Sequence, residues 1–562
     1  MSLDLALLVT DGPRTVTAAM DGPNRVDWID AINSELMSLE NHQTWTVVEE
    51  QDLPEGAHPI SSRMILQEKI GEDGKVARYK ARLVAHGFRQ REGIDYTETY
   101  SPTISFPAIR TVLSRAAVED KEIIQLDIVT AFLESEVEEE IYLRLPKEFG
   151  LSENGRVMLR REEEDAPSGS EAGVTVRLNR SLYSLKQAGC NWYNTLTSYF
   201  IEEMQMRASK YEAGIYTTMT GATIIAWVDD MLLIGTPDEV NSMKTAIKRR
   251  FTIKDLGNVK FFLSMLVERD RNKGTIYLSQ QVYLEKVLKR FQMLDCKGCS
   301  TPIDVKAKLH MKREDEGETD KVLYQEAVGS LTYAAITTRP DIAYATGIVG
   351  RFSSDPSDLH WVAVKRILRY IKNSLELRIR LGRSDDRASG GEEGEEEEKV
   401  KAPITVYADA DFAGEVDGMR STTGFIILDQ YGALVHWKSQ RQKTVAKSTA
   451  DAEFNATAVA VEEGIWLAKI QGELYPDKDI DPTNPIVVYN DNQACIASLV
   501  NGQFKASTRH VGVKYFWLRE LVQEGEVTIM YLRTEEMIAD GLTKGLERGK
   551  HQAFTKMLSM RD

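Results

Sequence analysis

Apolar residues recur at helical spacing over residues 25–39, with Trp28, Ile32, Leu36 and Leu39 on one stripe, which predicts a helix. Residues 44–48 then turn extended, and residues 63–88 read as a hairpin turning at 71–74. A helix over 107–118 is followed by strands at 125–128 and 141–145 and by an amphipathic helix over 192–204. Residues 223–235 carry a different pattern. Two β-branched or aliphatic halves, 224–228 and 231–234, meet at Asp229 and Asp230 and predict two short strands. Residues 278–291 read as a helix with Ser279 as its N-cap, and 306–319 as a polar linker. Residues 324–371 read as helices broken at Arg339-Pro340 and Asp355-Pro356.

Past residue 400 the chain changes character. Strands are predicted at 403–413, 424–428 and 435–437, a helix at 449–463, a strand at 486–489, a helix at 492–500, a strand at 527–532 and then a helical tail. That succession indicates a mixed α/β domain over 401–562. No internal repeat is present. A chain of 562 residues is too long for one core, so three or four domains or subdomains are expected.

A formal charge of −16 argues at first against a nucleic-acid partner. Two Gly/Ser/Glu-rich stretches carry most of it: 385–398 holds −7 and 162–171 holds −5, leaving −4 for everything else. Both read as solvated insertions. Bases cluster elsewhere, at 75–91, 244–250, 286–290, 365–372 and 438–447, where each could track a phosphate backbone or form a solvated face. No apolar run is long enough to span a bilayer, and residues 1–10 make a poor signal peptide. Four cysteines (Cys190, Cys296, Cys299 and Cys495) form no disulfide framework at this length and suggest a reducing compartment; Cys296 and Cys299 have knuckle spacing but no second pair, so free thiols are expected.

Two adjacent aspartates in an apolar run are either the tip of a surface hairpin or a site for cations. Unpaired carboxylates in such a place cost several kcal/mol, and bound divalent metal relieves that cost. The rest of the chain decides. Gln125-Leu-Asp127-Ile-Val-Thr-Ala-Phe132, Trp227-Val-Asp-Asp230, Ser181-Leu-Tyr-Ser-Leu-Lys-Gln187-Ala and Lys80-Ala-Arg82-Leu-Val-Ala-His-Gly-Phe88 together resemble the reverse transcriptase of copia-type LTR retrotransposons. The resemblance runs in one order from about residue 28 to 557. It implies an α+β and α/β multidomain fold: a right-hand polymerase with fingers, palm and thumb, then a connection, then a ribonuclease H-like mixed α/β domain. The implied boundaries are an N-terminal extension at 1–24, fingers and palm at 25–255 (acidic insertion about 161–173), thumb at 256–305, linker and connection at 306–383, acidic insertion at 384–400, and nuclease at 401–562.

By the same resemblance Asp127 and Asp229 would hold two Mg²⁺ ions, with Mn²⁺ as the substitute, and Asp230 would complete the acidic face. Magnesium takes oxygen ligands at short range, which suits three Asp and no His or Cys. Phe132 would abut the sugar of the incoming nucleotide and exclude a 2′-hydroxyl; a core Phe after a strand is the alternative reading. Arg82 would lie on the triphosphate and Gln187 near the nucleotide; residues 261–265 would fall near the primer grip and 278–293 in the thumb. Two departures stand out. Trp227 replaces the usual Tyr, and Gly189-Cys190-Asn191 replaces a Pro-Arg pair before Trp192, with the loss of a possible phosphate contact.

A second set of acids follows in order: Asp409 closing a strand, Glu453 opening a helix, Asp491 after a strand and Asp540 near the tail. Any one is unremarkable at such positions. Four in this order resemble the ribonuclease H domain of the same elements, where they would bind two metals and hydrolyse the RNA strand of a hybrid through contacts to its 2′-hydroxyls. Asp411 and Asp451 would lie outside the ligand set. His510 could reach the phosphate, or serve structure alone. Residues 324–381 match the family's connecting region. The implied partners are an RNA template, a DNA primer, their hybrid, deoxynucleoside triphosphates and integrase or capsid proteins of the element, without a membrane. The implied location is a cytoplasmic virus-like particle and the nucleus. A non-catalytic remnant that only binds nucleic acid is the competing reading, motivated by Trp227, residues 189–191 and the acidic insertions. A plain metal-dependent nuclease would leave the first 300 or so residues unexplained.

Overall fold

The apolar stripe at the N-terminal end forms the helix Arg25–Asn41, with Trp28, Ile32, Leu36 and Leu39 buried. The computed structural model describes residues 12–70, 76–160, 173–383, 402–474, 484–501 and 512–560. The expected turn at 71–74, the bulk of both acidic insertions and His510 fall outside them. The helix lies against the hairpin of Ile60–Ile70 and Val76–Ala85, where Trp28 meets Tyr79 edge-on at 4.7 Å. That hairpin ends a five-stranded sheet completed by Tyr142–Arg144, Thr175–Leu178 and Trp45–Val48.

A six-stranded antiparallel sheet comes next, in the order Ile253–Asn258, Glu122–Ile128, Asp230–Gly235, Thr223–Trp227, Ile215–Thr217, Arg207–Ala208. On one face Leu126, Ile224, Met231 and Leu233 pack with Trp192 and Leu196 of the helix Ala188–Ser198 and with Val240, Met243 and Ile247 of Pro237–Arg250. On the other, Ile123, Ile225, Leu232 and Ile234 meet Ile109, Val112 and Leu113 of the helix Phe106–Val118. A sheet covered on both faces needs apolar residues at consecutive positions. That is why 223–235 does not alternate.

Two expectations change. Leu278 and Ser279 do not open a helix: they end the strand Thr275–Ser279, and the helix is Gln281–Arg290, with no side-chain cap at Gln280. The strand prevails because Leu278 pairs with Val267 on one side and Ile379 on the other, contacts that a local pattern does not reveal. The boundary expected near 305 does not separate two cores. Ile379–Gly382 joins the sheet formed by residues 261–279, and Tyr283, Leu284 and Leu288 pack with Tyr324, Leu331, Ile367 and Leu368. The intervening helices, Lys321–Thr337, Ala343–Gly350 and Asp358–Lys372, break near the expected prolines.

The C-terminal sheet has the order Leu434–Arg441, Thr422–Asp429, Ile404–Ala410, Ile486–Asn490, Val527–Tyr531. Its first three strands are antiparallel and its last two run parallel to Ile404–Ala410. The helix Thr449–Leu474 covers it and is longer than the residues 449–463 expected. One apolar core is continuous from the helix Phe106–Val118 into this sheet. At the junction Arg110 is 1% exposed. It donates to the carbonyls of Val435 (2.7 Å), Thr337 (2.8 Å) and Ile336 (3.1 Å), with Trp437 4.0 Å from its guanidinium. Burial lowers its pKa to about 9. Among the described residues no helix is long and apolar enough to cross a membrane, and all four cysteines are free thiols.

Candidate active sites

The strands Thr223–Trp227 and Asp230–Gly235 are joined by only two residues, Val228 and Asp229, with Trp227 paired to Asp230. Val228 sits at φ +56°. A β-branched residue in the left-handed region is strained, so the turn needs outside support. Buried Trp192 supplies it, donating its Nε1–H to the Val228 carbonyl at 2.7 Å. The next strand fixes the acids. Asp230 is in register with Asp127, and the amide of Ile128 donates to the carbonyl of Asp229 at 2.9 Å. Directly opposed residues of an antiparallel pair share a face, so Asp127 and Asp230 are neighbours at the end of the sheet that carries Asp229.

Positive charge already gathers there. Lys254, in register with Asp127 from the other side, puts its Nζ 3.0 Å from Asp127 Oδ2. Lys80 is held down to about 8 by burial and by the charges of Arg82, Lys69, Arg78 and Lys254. Arg82 lies over Tyr183, with its guanidinium 5.3 Å from the ring centroid, and its charge acts on the phenol. Phe132 meets the same ring edge-on at 5.6 Å, and Asp229 is near enough for its charge to act on the phenol. Tyr183 therefore links three residues that the sequence singled out separately. Within the segment 181–188 it carries no signal of its own. Lys254 had none either, because the strand carrying it lies 127 residues from its partner.

Gln187, expected beside the nucleotide, is 1% exposed and engaged elsewhere. Its Nε2 donates to the Asp95 carbonyl at 2.9 Å and to Glu139 at 3.2 Å, and its Oε1 accepts from Gln90 at 3.0 Å. With both amide hydrogens taken, it braces the loop. The altered Gly189-Cys190-Asn191 segment is likewise built in: Asn191 donates to Ser181 at 3.1 Å and to the Glu136 carbonyl at 3.2 Å. Trp227 packs its ring 5.8 Å from Phe106.

The second set is tighter. Among the described residues, Asp409, Glu453 and Asp491 form the one group of three metal-type side chains whose ligand atoms lie within 4.8 Å of one another; Asp127, Asp229 and Asp230 do not close up in this way. Asp409 and Glu453 are buried. Burial raises Asp409 to about 7, opposed by a hydrogen bond from Thr543 (2.5 Å) and reinforced by the charges of Asp540 and Asp491. Burial and the charges of Asp409 and Asp491 raise Glu453 to about 9, although Asn490 donates to it at 3.2 Å. Oxygen-only ligands crowded until they resist ionisation are a donor set that fits a divalent cation.

Asp540, expected as a fourth ligand, stands outside that group, with its Oδ1 2.5 Å from Lys544 Nζ. Asp491 accepts from Thr534 at 2.9 Å. Asp451 lies in the first turn of its helix, its amide donating to the capping Ser448 hydroxyl and its carboxylate accepting from the Lys447 amide at 2.8 Å. Asp411 accepts from the Thr422 amide. Thr543 and Asn490, which hold the acids in place, were not read from the sequence. Gly424 makes the first of these contacts possible: in register with Asp409, it has no Cβ, and one built there would meet Thr543 Cγ2 at 2.6 Å and Leu542 Cβ at 2.9 Å.

Comparison with known proteins adds the lineage. Residues 42–305 match the family described as reverse transcriptase (RNA-dependent DNA polymerase). The chain is 34% identical over 565 residues to the retrovirus-related Pol polyprotein from transposon TNT 1-94 of Nicotiana tabacum, covering 99% of this chain and 39% of that one. It is 31% identical over 560 residues to the corresponding polyprotein from transposon RE2 of Arabidopsis thaliana, covering 99% and 35%. The chain thus spans a little over a third of the length of these curated relatives. The N-terminal RNase H domain of a Mycobacterium tuberculosis protein, solved as a fusion with maltose binding protein, is similar at 11% identity, over 27% of this chain and 96% of that one, with a TM-score of 0.20. That score is too low to support a shared fold, and the C-terminal unit is characterised by its own strand order and carboxylates.

Proposed function

We propose, starting from the fact that the chain belongs to the copia-type LTR retrotransposon Pol family, that it is an RNA-directed DNA polymerase that also cleaves the RNA strand of the hybrid it makes. The observation that carries the polymerase reading is the strand register that sets Asp230 opposite Asp127 on the sheet end carrying Asp229. In this reading the six-stranded sheet is the palm, the Ile60–Ala85 hairpin and its sheet belong to the fingers, and residues from 256 supply the thumb and connection. Asp127 and Asp229 would hold Mg²⁺ beside Asp230, at the position where Lys254 now neutralises Asp127. Bound metal supplies charge neutralisation for the attacking and leaving oxygens. Arg82 receives the triphosphate, and the Phe132 ring excludes a ribose 2′-hydroxyl.

For the nuclease reading, Asp409, Glu453 and Asp491 are the metal ligands, supported by their convergence within 4.8 Å. Asp540 contributes charge next to them, with Lys544 as its partner. Thr543 and Asn490 orient the carboxylates. RNA template, DNA primer, their hybrid and deoxynucleoside triphosphates are the substrates. The setting is a cytoplasmic particle and the nucleus, beside the integrase and capsid proteins of the element.

The test is extension of a DNA primer on an RNA template with Mg²⁺, by the natural protein and by Asp229→Asn. We expect synthesis by the first and loss of about 100-fold or more in the second. Equal synthesis by both, or none by the natural protein, rejects the polymerase reading.

A further inference from the structure

We infer that Tyr183 is a positioning residue for deoxynucleotide selection, the post against which the Phe132 ring is held at the sugar and from which Arg82 is aimed at the triphosphate; this rests on the polymerase reading above. Three observations meet at one ring. Phe132 packs on it edge-on, with centroids 5.6 Å apart and planes at 85°. The Arg82 guanidinium lies over its face at 5.3 Å, close enough for its charge to act on the phenol. Its own backbone is fixed to the fingers strand, with the Tyr183 carbonyl accepting from the Ala85 amide at 3.0 Å.

The neighbours show why this contact matters. Phe132 is in a short 3-10 turn that starts from Thr130 at φ +58°, and it lies only partly within the apolar core. A ring that must stop a single hydroxyl oxygen needs a wall behind it, and the edge of Tyr183 provides one. An aromatic pair of this geometry is attractive beyond the area it buries, so it favours one placement of the Phe132 ring. Arg82 Nε is buried without a hydrogen-bond partner, so the guanidinium retains an uncommitted donor. Burial, followed by the charge of Glu35, raises the phenol to about 12, so it stays protonated and neutral near neutral pH. One side chain thus serves two substrate groups, sugar and phosphate. Its two parts divide the work, with the ring setting Phe132 and the hydroxyl setting Arg82.

That division makes the test specific. Steady-state kcat and KM are measured for a deoxynucleotide and its matched ribonucleotide, on primed RNA with Mg²⁺, for the natural protein, Tyr183→Phe, Tyr183→Leu, Phe132→Val and the Tyr183→Leu/Phe132→Val pair. Tyr183→Leu is expected to weaken ribonucleotide exclusion by about tenfold, since small misplacements near reacting groups have effects of at least that size. Tyr183→Phe is expected to restore exclusion while raising KM for both nucleotides with little change in kcat. The pair is expected to discriminate no worse than Phe132→Val alone, because both changes remove one wall. Natural exclusion in Tyr183→Leu, multiplying defects in the pair, or natural KM in Tyr183→Phe overturns the inference. If Tyr183→Leu does not fold, the KM of Tyr183→Phe decides alone. A natural protein that makes no DNA rejects the polymerase reading itself and this inference with it, an outcome separate from altered selectivity.

Discussion

Asp409 and Glu453 are held at about 7 and about 9, against ordinary values of 3.8 and 4.5, because burial and neighbouring carboxylates oppose ionisation. A carboxyl raised in the folded state binds protons there that the unfolded chain has released. Its contribution to stability is therefore complete below pH 4 and is lost as pH rises through 7 and 9. In a chelator, the C-terminal unit should melt at a lower temperature at pH 9 than at pH 6, and millimolar Mg²⁺ should close that gap. Glu453→Gln should melt higher than the natural protein at pH 9 in chelator, whereas Ser448→Ala should lose about 1 kcal/mol as a broken helix cap. Thermal unfolding followed by circular dichroism measures all of these. A natural protein indifferent to both pH and Mg²⁺ would remove the case for a cation among these acids. Which acids would gather was legible from their order along the chain. Which would step aside was not: Asp540 turns to Lys544, and the bracing hydroxyl of Thr543 comes from 134 residues beyond Asp409.

The turn of Val228 and Asp229 is the element on which the polymerase reading depends. Its two strands were legible from the apolar runs on either side of the acidic pair, but a surface hairpin stayed open until the rest of the chain was read. The support was not visible: Trp192 was expected as a helix residue, and its bond to the Val228 carbonyl spans 36 positions. Trp192→Phe should keep the ring in the core but leave the carbonyl unmet, a cost of about 1–3 kcal/mol focused on the turn. Primer extension should fall by about tenfold while hybrid cleavage stays within about twofold. An equal fall in both would mean that the variant merely unfolds. Periodicity failed where pairing was remote. Leu278 and Ser279 read as helical, but Val267 and Ile379 claim Leu278 for a sheet; Gln187, set near the nucleotide by resemblance and not by periodicity, has its amide engaged by Asp95, Glu139 and Gln90.

Over the whole molecule, the two sites are held by one continuous core with Arg110 at its centre. A buried guanidinium with three backbone carbonyls and an indole face, in place of a carboxylate, ties the helix Phe106–Val118 to the strand Leu434–Arg441. Other contacts run beside it: Trp466 donates to the Tyr211 carbonyl at 2.9 Å, and Glu473 accepts from Ser209 at 2.5 Å. Arg110→Met keeps much of the volume but orphans the carbonyls, and should cost about 2–4 kcal/mol in chemical denaturation. Trp466→Phe, a milder cut, should leave folding nearly unchanged. Both should broaden the spread of RNA cuts behind a stalled primer end, read on a sequencing gel; an unchanged spread would mean that the sites are spaced by the duplex alone. The contacts of this junction were not legible beforehand, since its partners lie more than 200 positions apart.

The most direct test follows DNA synthesis and template cleavage together, on one primed RNA in Mg²⁺, for the natural protein, Asp229→Asn and Glu453→Gln. Two independent carboxylate centres predict that Asp229→Asn stops synthesis and still cuts a preformed hybrid, while Glu453→Gln extends the primer and leaves the template whole. Both activities surviving both changes, or both vanishing together in either folded variant, would contradict the account.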